Sequence, residues 1–99
     1  LRRAARTDSN HAEVVDALRR CGASVQSLAS VGGGVPDLLV GFRGQTLLIE
    51  IKDGQKPPSE RALTPDQVAW HSGWRGAQVW VITDVLEATA ALGGVNAGA

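Results

Sequence analysis

The sequence predicts an α/β domain, a three-layer sandwich with a central mixed sheet covered by helices on both faces, in the order helix, three strands, helix, strand, helix. Three observations carry this expectation. Apolar residues recur at helical spacing from Val14 and again from Thr64 onward; two near-continuous apolar runs, DLLVGF and QTLLIEIK, flank Arg43-Gly44; and QVWVI, residues 78–82, follows the second helical segment as a clean strand. Runs apolar on both sides belong to a sheet covered on both faces.

Each element has its own local reasons. Residues 1–9 read as a basic arm carrying Arg2, Arg3 and Arg6 with little periodicity, either a solvated terminus or a nucleic-acid contact. The single domain then spans 10–93. Asn10 with Glu13 fits a capping box; Val14, Leu18 and Cys21 share the apolar face of the helix, and Gly22 stops it. Ser24 to Ser30 alternates weakly, as the first strand of a meander. Gly32-Gly33-Gly34 opens backbone angles closed to other residues and brings bare main chain to the edge of the site, as a flexible turn or as a loop approaching DNA. Pro36 lacks an N–H and marks the start of the next strand, with Asp37 at its mouth. Asp37–Phe42 and Gln45–Lys52 pair antiparallel about the Arg43-Gly44 turn.

The segment Asp53–Leu63 is polar, proline-bearing and aperiodic, which predicts a loop. Thr64-Pro65-Asp66-Gln67 supplies a cap, a proline at the first helical position and a glutamine at the third, and Gln67, Trp70, His71 and Trp74 then share one helix face. His71 could touch substrate or be a half-buried polar residue with no role. After the last strand, Asp84 and Glu87 cap a helix expected to end at Gly93-Gly94, leaving 94–99 as a disordered tail.

The hairpin register is where chemistry enters. With Arg43 and Gly44 as the loop, Phe42 faces Gln45, and counting back puts Asp37 across from Glu50. Facing carboxylates at ~4 Å repel by about 4 kcal/mol at an effective dielectric of 20. Something positive must offset that. Lys52 is one candidate, since it shares a strand face with Glu50; a divalent cation is the other. Asp37, Glu50 and the Ile51 carbonyl between Glu50 and Lys52 make an oxygen donor set suited to Mg²⁺ or Mn²⁺.

Pro36-Asp37 followed by Glu50-Ile51-Lys52 resembles the PD-(D/E)XK signature of nucleases with the restriction-endonuclease-like fold. The longer strings GGGVPDLLVG, LLIEIKDG, LTPDQVAWHSGW and AQVWVITD resemble the small VRR-NUC branch of that superfamily, from about Glu13 to Glu87. The resemblance implies a metal-dependent nuclease hydrolysing DNA phosphodiester bonds, structure-specific and acting in replication, repair or recombination. It implies Asp37, Glu50, Lys52 and Gln67 as catalytic residues, with Gln67 beside the lysine, and a helix-one glutamate, Glu13, beside the metal. Glu13 and Gln67 each have a second explanation as capping-box residues. Lys56 and Arg61 join Arg2, Arg3 and Arg6 as candidate phosphate contacts.

Composition bounds these readings. A chain of 99 residues is one domain that buries about 60 to 65% of its unfolded surface. Lys plus Arg and Asp plus Glu number 10 each, unusual for a protein that grips a phosphate backbone. That balance leaves open a catalytically silent nucleic-acid-binding or assembly module of the same fold. It also favours a homodimer, in which paired subunits double the local basic contacts and Trp70, Trp74 and Trp80 anchor the interface. One cysteine, Cys21, allows no internal disulfide, and no run resembles a signal peptide or membrane span. The expectation is therefore a cytoplasmic protein whose partner is DNA, with no membrane and no small-molecule cofactor. The start at Leu1 and the lack of methionine point to a native start upstream.

Overall fold

The computed structural model describes residues 9–97. Among them, one four-stranded sheet runs in the order β1 (Ser24–Ser27), β2 (Leu38–Phe42), β3 (Gln45–Ile51), β4 (Trp80–Ile82). The first three strands are an antiparallel meander, and β4 pairs parallel to β3. A parallel partner requires a crossover, which here carries the short α2 (Pro58–Arg61) and α3 (Pro65–Gly73). The helices α1 (His11–Arg20) and α4 (Val85–Ala97) pack against each other and close one face of the sheet. The core lies beneath them: Val14 and Leu18 of α1 and Ala88, Ala91 and Leu92 of α4 meet Leu38, Val40, Leu47, Ile49, Ile51 and Ile82, all buried.

The hairpin is built as its sequence requires. Arg43 and Gly44 both have positive φ, 51° and 78°, the condition for a two-residue turn whose twist matches the strands. Arg43 accepts that conformation with its guanidinium 5.2 Å over the Phe42 ring. Phe42 pairs with Gln45 and Leu38 with Ile49, so the next step outward is Asp37 beside Glu50. The second sheet face is less covered than its apolarity implied. α3 bonds the end carrying Glu50 and Lys52, while Leu39 is 39% exposed and lines a shallow apolar cleft with Leu48 and Trp74.

Several element ends differ from expectation, each for a local reason. Asn10 does not cap α1 with its side chain: its amide donates to the carbonyls of Lys52 (3.2 Å) and Thr83 (3.1 Å), tying the helix start to the ends of β3 and β4. Cys21 is exposed as the C-cap of α1, and Ala17 takes its place on the apolar face, while Gly22, at φ 98°, ends the helix as expected. β1 stops at Ser27 because the Ser27 hydroxyl accepts from Ala29 N–H and turns the chain. Within the expected loop, Pro58 at the first helical position starts the single turn of α2. β4 begins at Trp80 rather than Gln78. Asp84 caps α4 by accepting from Glu87 N–H (2.8 Å), but the helix runs past Gly93-Gly94 to Ala97. Gly94 serves packing rather than termination, since a Cβ there would stand 2.9 Å from the Trp80 ring. Residues 98–99 of the expected tail, and Arg2, Arg3 and Arg6 of the arm, lie outside the described residues.

Candidate active site

The site forms where β2 begins and β3 ends. Asp37 precedes β2, and its Oδ2 accepts the Ile51 N–H at 2.8 Å, which fixes the carboxylate against β3. A carboxylate has about four acceptor positions, so one bond leaves capacity to spare. Along β3 the side chains alternate: Ile51 enters the core, while Glu50 and Lys52 turn to the other face. Both charges are buried, Glu50 2% and Lys52 7% exposed. Lys52 N–H donates to Ile82 O at 2.9 Å and extends the parallel ladder, so its backbone position is fixed as well.

α3 covers these charges and organises them. Thr64 Oγ1 accepts from Gln67 N–H (3.2 Å), and Gln67 Oε1 accepts from Thr64 N–H (2.9 Å), a complete capping box. The same Oε1 accepts from Lys52 Nζ at 2.8 Å, and Gln67 Nε2 donates to Glu50 Oε2 at 3.1 Å. The sequence left Gln67 between a cap and a site residue. Its amide closes the cap and also meets both charges: the oxygen accepts from Thr64 N–H and from Lys52 with its two lone pairs, and one N–H donates to Glu50. The helix itself is held close by Gly34. That residue has φ 85°, and a Cβ on it would collide with the Asp66 carbonyl and stand 2.9 Å from Gln67 N. Gly34 therefore seats the first turn of α3.

One turn along, His71 reaches the same carboxylate. Its side chain is 13% exposed, and Nε2 lies 3.6 Å from Glu50 Oε1, buried and without a hydrogen-bond partner. Burial, and then the Lys52 charge, push its pKa below the ordinary 6.5, so the imidazole is neutral at pH 7. The sequence placed His71 on the Gln67 face and left it between a substrate contact and a half-buried polar residue. The signal was the four-residue spacing, which puts both side chains over one spot.

The other candidates lie elsewhere. Glu13 is exposed on α1 and lines a groove with Asp53 and Asp84. Among the described residues no three of His, Cys, Asp and Glu converge as cation ligands, so Glu13 does not complete a three-carboxylate set with Asp37 and Glu50. Lys56 is exposed and Arg61 partly buried, both between β3 and α3. By the chemistry of their donor atoms, Asp37, Glu50 and the Ile51 carbonyl would fit a hard cation. Two carboxylates and a backbone carbonyl are an all-oxygen set, and Mg²⁺ is commonly held by one or two carboxylates while keeping several of its own waters.

Among the described residues, no helix is long and apolar enough to cross a membrane. No family model and no curated protein matches the chain. Among solved structures it is similar to one described as a "VRR_NUC domain". The two are 26% identical, with a TM-score of 0.63 over 87% of this chain and 97% of that one.

Proposed function

We propose that this domain, whose fold is VRR-NUC-like and of the nuclease type, is a metal-dependent nuclease that hydrolyses DNA phosphodiester bonds. The observation that carries the reading is the pair Glu50 and Lys52, opposite charges buried on one strand and bridged by one glutamine beside Asp37. Burying a charge costs several kcal/mol, roughly, and well-packed apolar residues commonly stabilise a fold as well or better. Stability therefore gives no reason to keep these groups. Hydrolysis does.

Asp37, Glu50 and the Ile51 carbonyl are the groups that would hold Mg²⁺ or Mn²⁺. When bound, such an ion polarises a phosphoryl oxygen and eases the ionisation of water. Lys52 Nζ, fixed by Gln67, orients the attacking water and stabilises the charge that builds on the phosphate. Gln67 holds Lys52 and Glu50 in one register, so neither must reorganise as the reaction proceeds.

Balanced net charge makes a lone subunit a weak DNA binder, and pairing of two copies answers that by doubling the basic contacts. Trp74, stacked on Trp70 and 44% exposed, is the tryptophan available to such an interface, whereas Trp80 packs against the core. Sedimentation at micromolar concentration is expected to give a dimer; a strict monomer that cuts both strands contradicts the pairing. The function is tested by a cleavage screen over linear duplex, flap and four-way junction with Mg²⁺ or Mn²⁺. Cleavage of one branched substrate above the others is expected. DNA binding without cleavage under any condition would support a silent binding module instead.

A further inference from the structure

Beyond these groups, the geometry points to His71 as a positioning residue for Glu50, donating from Nε2–H to Oε1 so that the carboxylate is held by both oxygens. The inference rests on the proposed metal site and adds a residue to it. Three observations converge. Gln67 and His71 stand four residues apart on α3, and each addresses a different oxygen of one carboxylate: Gln67 Nε2 lies 3.1 Å from Oε2 and His71 Nε2 lies 3.6 Å from Oε1. His71 Nε2 is fully shielded from solvent and has no hydrogen-bond partner, and a buried ring N–H left that way is costly. A ring-nitrogen lone pair aimed at a carboxylate oxygen would be repelled, which puts a proton on the nitrogen that faces Oε1, Nε2.

A separation of 3.6 Å is just beyond a hydrogen bond, and such bonds in unliganded sites are often long and tighten when the site fills. A side-chain rotation of a few tenths of an ångström at Nε2 closes it. Trp70 packs edge-on against the imidazole, its ring centroid 6.2 Å away and nearly perpendicular. A carboxylate held at both ends presents fixed lone pairs to a cation, and loss of such supporting bonds commonly weakens metal binding by roughly 10- to 100-fold.

The test is calorimetric titration of Mn²⁺ into the full chain, comparing wild type, His71→Leu, His71→Gln and Glu50→Ala, with thermal melts in chelator as a folding control. His71→Leu fills the space and removes the donor; His71→Gln returns an N–H near the position of Nε2. The expected result is affinity about 10- to 100-fold weaker for His71→Leu and restored to within a few-fold for His71→Gln, with both variants folded. Should His71→Leu fail to fold, His71→Ala takes its place as the variant without a donor, with the same loss of about 10- to 100-fold expected. Wild-type affinity in His71→Leu, with binding lost in Glu50→Ala, would overturn the role of His71 and leave the metal site standing. Equal weakening in His71→Leu and His71→Gln would overturn it too, since the donor would then not be what matters. No Mn²⁺ binding by wild type overturns the metal site and this inference with it.

Discussion

Replacing Gln67 with alanine separates a helix cap from a site organiser. If Gln67 only closed its capping box, its loss would resemble that of Thr64, and Thr64→Ala is expected to cost about 1 kcal/mol. The structure gives Gln67 more to lose. Besides the bond to Thr64 N–H, it holds the buried Lys52 ammonium at 2.8 Å and the buried Glu50 carboxylate at 3.1 Å. Hydrogen bonds to charged groups contribute roughly 1.5 to 3 kcal/mol each, and two made by one amide add less than fully, so Gln67→Ala is expected to cost about 3 to 4 kcal/mol. For a domain of this size that is a fall in Tm of more than about 12 °C, against roughly 4 to 8 °C for Thr64→Ala. Gln67→Glu sharpens the test. It keeps an oxygen for Lys52 and for the cap but sets a second carboxylate about 3 Å from Glu50, a bare repulsion of about 5 kcal/mol at an effective dielectric of 20. Urea denaturation in chelator reads all three variants. Gln67→Ala no costlier than Thr64→Ala, or Gln67→Glu as stable as wild type, would refute the shared-amide geometry.

Other variants probe the surrounding parts. Asp37→Ala relieves repulsion with Glu50 but strips the Ile51 N–H of its acceptor, so the metal-free protein is expected to lose about 1 to 2 kcal/mol; a gain in urea midpoint would mean that repulsion dominates. Gly34→Ala combines a left-handed backbone with a collision against the first turn of α3, and is expected to cost more than about 2 kcal/mol, whereas Gly33→Ala, which meets nothing, costs about 1 to 2 kcal/mol for its backbone alone. The two melts side by side decide whether contact or conformation matters at Gly34. His71 has its folded pKa below 6.5, so the unfolded chain binds the extra proton first; its contribution is fully present above pH 6.5 and lost as pH falls through the lowered value. In chelator, wild type is expected to lose more stability than His71→Gln between pH 7.5 and 5.5, and equal losses would place the sensitivity elsewhere.

The geometry of the candidate site was legible in the sequence wherever it is local to a strand or a turn. Arg43-Gly44 set the hairpin register, alternation put Glu50 and Lys52 on one face, and Thr64-Pro65-Asp66-Gln67 marked the start of α3. Contacts between elements were not legible. Asn10 has the composition of a cap, yet its amide is drawn to two carbonyls from β3 and β4 that only the folded sheet brings near. Gly93-Gly94 has the composition of a helix stop, yet the Trp80 ring occupies the space where a Cβ would be, so the pair continues α4. His71 differs again. Its spacing from Gln67 was visible, but its distance from Glu50 depends on how closely Gly34 lets the helix approach the sheet.

Cleavage of the preferred DNA substrate by wild type and by Glu50→Gln, measured against free Mg²⁺ concentration, tests the central claim most directly. Gln at 50 keeps the size and loses the charge, and melts confirm that both proteins are folded. Saturable cleavage by wild type that stops in chelator, with a loss on the order of 1,000-fold or more in Glu50→Gln, is the predicted result. Cleavage that survives chelation, or that Glu50→Gln performs at the wild-type rate, would contradict it.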